Sequence, residues 1–250
     1  MIVVVGLAFE ARIAAGSGLP IICSGDGRNL SPDIKRAIAT GCSGLISFGV
    51  AGGLDPKLKP GTCVVGSAIV IGDVRHETDR PWSQRLLDAM PGAVHGVLAG
   101  ADGPVCTPAE KRALGRETGA LAVDTESHVV ARAAADHGLP MAAIRVVADP
   151  AHRRLPAAAL TAIRADGTTD VLAVLRSVVR RPHQLPALVR TALDARAARA
   201  TLLRGRILLE PTHIAGGFRS APGLRPERGA LAAEAALGQP VQPDLSSAVG

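Results

Sequence analysis

Tyrosine is missing from this 250-residue chain, and aromatic residues make up only 2% of it, three Phe and one Trp. That scarcity argues against single-stranded nucleic-acid binding, which relies on aromatic stacking platforms. No nucleic-acid partner is expected. The core must instead be built from Ala, Val, Leu and Ile, within a hydrophobic content of 47%. The four cysteines, Cys23, Cys42, Cys63 and Cys106, have no CxxC or CxxH spacing. Neither a disulfide framework nor a zinc site is indicated, and free thiols suit a reducing cytoplasm. Long apolar runs are also lacking: no uncharged stretch approaches the roughly 20 residues needed to span a bilayer. The opening MIVVVGLAFEARIAAG has no basic leader and reads as strand, turn and helix rather than signal peptide.

What is present is alternation. Apolar β-type runs recur at 2–5, 19–23, 44–48, 62–71, 96–99, 120–123 and 141–147. Helical patterns lie between several of them, at 32–40, 82–90 and 108–118, the last opened by Thr107. Strands alternating with helices over some 150 residues imply an α/β sheet covered on both faces. The polar stretch 73–81, DVRHETDRP, is expected as a loop that covers a site. The Gly-rich turn 24–29 holds Arg28, a candidate anion contact. The cluster Gly49-Val-Ala-Gly-Gly53 follows a strand but leads into a loop and another strand. A dinucleotide fingerprint opens directly into a helix, so NAD is rejected and no cofactor is expected. The glycines instead let the backbone approach a ligand closely.

The segment 121–150 organises the reading. A short strand ends in Asp124 and Glu126, a helix follows and stops near His137-Gly138, and a second strand ends at Asp149-Pro150. A β-α-β unit makes its two strands parallel neighbours. Glu126 and Asp149 would then share the carboxyl edge of the sheet, where open α/β folds bind ligands. Two carboxylates there suit acid/base work or the holding of hydroxyl groups. Glu10, just after the first strand, has two readings: a third carboxylate on that edge, or a first-turn Glu favoured by the helix dipole.

The chain changes character after Asp149. Apolar helical patterns run through 155–163, 169–181 and 187–203, and between Arg176 and Arg206 eight Arg stand against one acid, Asp194. A basic amphipathic helix is compatible with an anionic membrane surface; the alternative is a solvated face over the sheet. Residues 1–181 are expected to form the α/β domain, 182–210 a basic helical extension, and 211–250 a disordered tail rich in Gly, Pro, Ala and Arg.

Three ordered motifs, FGVAGGLDPKLKPG (48–61), VDTES (123–127) and RVVADPA (145–151), resemble the nucleoside phosphorylase and nucleosidase superfamily. The opening GLAFEARIA (6–14) and the basic C-terminus look more narrowly like the hopanoid-associated phosphorylases, thought to remove adenine from adenosylhopane. The resemblance implies a three-layer sandwich with a central mixed, mostly parallel sheet, plus the basic C-terminal helices. It implies cleavage of the N-glycosidic bond of a 5′-substituted adenosine. Asp149 would be the general acid toward purine N7, held protonated by burial. Glu126 would stay ionised and hold the ribose hydroxyls, Thr125 would lie beneath the sugar, and Glu10 would orient or deprotonate the attacking water. Val50, Ala51 and Gly52 would approach sugar and base, and Val105 would contact adenine. Asp124 would be structural. No metal is implied, and a homodimer is expected.

Several departures bear on the nucleophile. Val50 stands where family members often carry a Ser or Thr, Ser47 where some phosphorylases carry an Arg, and the segment between the first two strands is short. Those losses favour water over phosphate. Ala148 replaces a Ser that usually steadies the catalytic Asp. A phosphate-dependent purine nucleoside phosphorylase, a methylthioadenosine-type nucleosidase and an inactive nucleoside-binding protein are the alternatives.

Overall fold

A computed structural model of the chain describes residues 1–25, 30–156, 168 and 185–210. Arg28, the helical patterns at 157–163 and 169–181 and the tail at 211–250 lie outside the described residues.

The described elements run β1 (Ile2–Val5), α1 (Ala8–Ala14), β2 (Ile21–Cys23), α2 (Leu30–Ala39), β3 (Leu45–Gly53), β4 (Cys63–Ile71), β5 (Val74–Glu77), α3 (Arg80–Ala89), β6 (Val94–Gly100), α4 (Pro108–Thr118), β7 (Ala122–Asp124), α5 (Ser127–Asp136), β8 (Met141–Asp149) and α6 (Leu185–Gly205). The sheet is mixed and mostly parallel. β1 pairs β2 and β3 in parallel, β3 pairs β8 in parallel, and β6 runs parallel to both β4 and β7. Antiparallel joints occur at β3 with β7, β4 with β8 and β4 with β5.

Followed around, the pairings β3–β7–β6–β4–β8–β3 close into a ring of five strands, with β1 and β2 extending from β3 and β5 from β4. β3 makes the joint: one of its edges follows β8 from Leu45 to Gly52, with a register shift between Ala51 and Gly52, while its other edge pairs β1 from Leu45 to Ser47 and then β7, where Gly52 and Gly53 face Val123 and Ala122. An irregularity of this kind bends a strand and increases its local twist.

Three expectations are corrected here. The β7–α5–β8 segment is not a parallel crossover between neighbours. β7 and β8 do not pair, and they run in opposite directions, because β3 is antiparallel to one and parallel to the other. The Gly49–Gly53 cluster is not a turn after the strand; it is the carboxyl-terminal half of β3 itself. Glu126 and Asp149 still converge, because β7 and β8 flank that same half-strand. The stretch expected as a covering loop at 73–81 forms the outer strand β5 and the start of α3, where Asp79 caps the helix by accepting from the Trp82 amide at 2.8 Å.

The main core lies between the sheet and the pair α2 and α5. It joins Ile2, Val4 and Leu45 to Leu30 and Ile34 and to Val130, Ala131 and Ala134, all fully or nearly buried. Small residues on α5 let that helix approach the strands closely in a chain with few aromatics. α6 packs on β8 and buries Ala198, Thr201 and Leu202, and the short turn after it buries Leu208 and Leu209. No described helix is long and apolar enough to cross a membrane.

Candidate active site

The turn from β1 into α1 sets the first side chain. Glu10 is the third residue of α1, and its Oε2 accepts the amides of Gly6 at 2.9 Å and Leu7 at 2.8 Å. Those are N–H groups that the helix start leaves without intrahelical partners. Its Oε1 accepts the Val50 amide of β3 at 2.7 Å. Both sequence readings of Glu10 therefore hold in one residue: it caps α1 and also reaches the glycine half of β3. Gly49 makes that reach possible, since a Cβ there would lie 2.5 Å from Glu10 Oε1 and 2.7 Å from Arg145 Nη1.

The turn from β7 into α5 sets the second. Asp124 Oδ1 accepts the amides of Glu126 at 2.9 Å and Ser127 at 2.7 Å, so it satisfies the open end of α5. Glu126 is thereby freed to project into the cavity, and its Oε1 accepts the Thr125 hydroxyl. Gly6 sits against it, for a Cβ at that position would meet Glu126 Oε1 at 2.7 Å.

A residue without an assigned role in the sequence reading ties these turns together. Arg145, in the middle of β8, is fully buried. Its Nη2 lies 2.9 Å from Asp124 Oδ1 and 3.2 Å from Glu126 Oε2, and donates to Ser47 Oγ at 2.6 Å. Its Nε donates to Ser127 Oγ at 3.2 Å, and its Nη1 to the Val50 carbonyl at 3.3 Å. A buried guanidinium needs such partners to offset lost hydration. Ser47 is thus committed to Arg145. Three carboxylates, Glu10, Asp124 and Glu126, share this one cation. Burial raises the Glu10 carboxyl from 4.5 to about 7, against the pull of Arg145 and with Glu126 adding to the rise. Burial also raises Glu126, again against Arg145. The expectation of a Glu126 that simply stays charged is qualified accordingly.

Asp149 closes the site from the end of β8. Burial lifts its carboxyl from 3.8 to about 6, and the ammonium of Lys111 holds it from rising further. Lys111, on α4, is fully buried and pairs with Asp149 Oδ2. The rise through burial is the direction expected of this acid, and it is opposed by a cation that sequence reasoning missed.

These groups line one cavity of about 170 Å³, open to solvent. Every expected site residue borders it: Glu10, Val50, Ala51, Gly52, Val105, Thr125, Glu126 and Asp149. Gly103, Pro104, Ala148 and Leu155 line it as well. Among the described residues, no Lys or Arg is in the lining. Among the described residues, no group of three or more His, Cys, Asp and Glu is arranged to hold a metal ion.

Comparison with known proteins gives the site a context. Residues 21–193 match the model of the phosphorylase superfamily. A futalosine hydrolase of Streptomyces coelicolor is 30% identical over 163 residues, which cover 56% of this chain and 68% of that protein. Among solved structures, a 5′-methylthioadenosine/S-adenosylhomocysteine nucleosidase of Helicobacter pylori superposes with a TM-score of 0.61 at 16% identity, over 86% of this chain and 97% of the other. A futalosine hydrolase of the same organism gives a TM-score of 0.58 at 16% identity, over 82% and 96%.

Proposed function

The chain belongs to the phosphorylase superfamily, and from that premise we propose that it is a nucleosidase hydrolysing the N-glycosidic bond of a 5′-substituted adenosine to free adenine. The observation that carries the reading is the meeting of Glu10, Glu126 and Asp149 around one cavity whose lining, among the described residues, holds no Lys or Arg. A phosphate dianion entering that cavity would meet buried carboxylates whose nearest cations, Arg145 and Lys111, are already paired with them, whereas water needs only an acceptor. Phosphorolysis is disfavoured on that ground.

In this reading Asp149 gives its proton to N7 as the bond from C1′ to N9 breaks and its electron pair passes to the base. Positive charge grows at C1′ and the ring oxygen. The excess of carboxylate over guanidinium near Arg145 favours that charge, an electrostatic preorganisation that needs no rearrangement. Glu126 accepts hydrogen bonds from the ribose hydroxyls. Glu10, with a carboxyl near 7, takes a proton from the attacking water. Val105 and the glycine half of β3 shape the walls for base and sugar.

For the 5′ group we propose a neutral, apolar substituent, and adenosylhopane as the substrate that best fits the resemblance of the opening and the basic C-terminus. The outer face of α6 supports attachment to a membrane surface, with Leu185, Val189 and Leu193 exposed at four-residue spacing beside exposed Arg190 and Arg196. A homodimer is proposed on the same resemblance. Futalosine is the second substrate reading, favoured by the name of the Streptomyces coelicolor relative.

The test is release of free base from adenosylhopane, methylthioadenosine and futalosine, each with and without phosphate. Equal rates without phosphate, with adenosylhopane the best substrate, are expected. A strict phosphate requirement would reject hydrolysis, and a preference for futalosine would replace the hopanoid reading. Serine at 185, 189 and 193 should lower flotation with anionic liposomes. Point changes are preferred to truncation because α6 packs on β8.

A further inference from the structure

We propose, resting on the reading of Asp149 as general acid, that Lys111 is its positioning residue: a buried ammonium that orients the carboxyl and stabilises the carboxylate left after proton transfer.

The geometry is specific. Lys111 is the one fully buried residue of α4. Its Nζ has three acceptors: Asp149 Oδ2, the Pro150 carbonyl at 3.1 Å and the Arg153 carbonyl at 3.2 Å. An ammonium has three N–H groups, so its donors are matched by these partners. Among the described residues it is the hydrogen-bond donor to the Asp149 carboxyl, and the neighbouring Ala148 has no hydroxyl to offer. A lysine that only closed a loop would need the two carbonyls and nothing more. This one also lies on the single group whose charge changes when the base leaves.

α4 is a firm platform for that contact. Thr107 and Glu110 form a reciprocal cap at its start, with the Glu110 amide donating to Thr107 Oγ1 at 3.2 Å and the Thr107 amide donating to Glu110 Oε2 at 2.9 Å. The residues just before it, Gly103 to Val105, line the cavity. The Leu155 amide donates to the Cys106 carbonyl at 2.9 Å. One lysine therefore links the wall expected to hold the base to the acid expected to protonate it.

The step balances without another reactant. The O–H bond of Asp149 breaks and an N7–H bond forms. The C1′–N9 electron pair leaves with the base, and water supplies the hydroxyl to C1′ and a proton to Glu10. Exchange with solvent resets both carboxyls. The ammonium opposes protonation of Asp149 before the step and favours the carboxylate after it, which makes the acid stronger.

The experiment compares wild type with Lys111→Met and Lys111→Arg, with Lys111→Gln in parallel should the Met variant fail to fold. Adenine release is followed against pH, and the Asp149 carboxyl is titrated directly by 13C NMR. In the neutral variants the carboxyl titration should move up by about one pH unit or more, and the lower limb of the pH profile, which Asp149 sets, should move up with it. Their kcat should fall about tenfold to a hundredfold, with KM nearly unchanged. Lys111→Arg should leave the limb in place. A folded neutral variant with unmoved limb and titration overturns the proposal, as does an Arg variant shifted equally. A purely structural lysine would lower the melting temperature and leave the limb alone. Should wild type release no base from any nucleoside, the functional reading falls, and the carboxyl titration alone still decides whether Lys111 sets Asp149.

Discussion

At one end of the cavity three carboxylates, Glu10, Asp124 and Glu126, face the single guanidinium of Arg145; at the other, Asp149 faces the ammonium of Lys111 one to one. Both ends are buried, and burial is the largest cause of the raised carboxyl pKa at each, from 4.5 to about 7 at Glu10 and from 3.8 to about 6 at Asp149. The ends differ in the charges around that burial: Glu126 adds to the rise at Glu10, whereas the Lys111 ammonium is the chief restraint on Asp149. The lesson is that burial raises both carboxyls and the neighbouring charges tell them apart. With all three acids ionised the Arg145 end would carry two uncompensated negative charges, and burial makes that costly. A proton is therefore held more tightly at Glu10 than at an ordinary carboxyl, which suits the proposed uptake of one from water.

The comparison breaks most readily at Asp149. Asp149→Asn removes the proton donor and should lower kcat about a thousandfold, measured as adenine released per enzyme. An active Asn variant would remove Asp149 from the acid role. Glu10→Gln comes next, with a loss of about a hundredfold and a change of shape. Activity needs Glu10 ionised and Asp149 protonated, so the wild-type profile should be a bell with limbs near 6 and 7. In the Gln variant the acid limb should vanish and only the fall at higher pH remain. A bell preserved in that variant would mean that another group supplies the acid limb.

The smallest effect is on stability. Both carboxyls are raised by folding, so the stability they contribute is complete below their ordinary values and drains as pH climbs through the folded ones. For Glu10 that window runs from 4.5 to about 7, on the order of 3 kcal/mol for a shift of this size. Thermal melts across the window should show wild type losing stability with rising pH and Glu10→Gln losing less. Parallel curves would show that the Glu10 carboxyl is not strained by its surroundings.

Much of this site was legible in the chain itself. The strands, the helix cap at Thr107 and the three carboxylates all carry local signals: apolar runs, a capping residue and motif order. The route by which the carboxylates meet was not legible. A β-α-β pattern is local, whereas the closing of β3 onto both β7 and β8 depends on a register shift at Ala51 and Gly52 that no spacing announces. The two cations were hidden for a different reason, though each left a trace. Arg145 interrupts the apolar strand MAAIRVVAD, and Lys111 shares an inward helical stripe with Leu114 and Gly115. A charge at a position that periodicity assigns to the core calls for buried partners, and following that rule would have found both.

The closed ring also governs how copies of this chain meet. Among the described residues, each of the five ring strands has a partner on both sides. Among the described residues the sheet path ends at β2, three residues long, and at β5, whose VRHE sequence is charged and largely exposed. Short or charged outer strands are the usual defence against edge-to-edge growth. Association through this sheet must therefore proceed by side chains meeting across faces, where complementarity selects the partner, and a crowded solution of the protein is shielded from growing into fibres strand by strand.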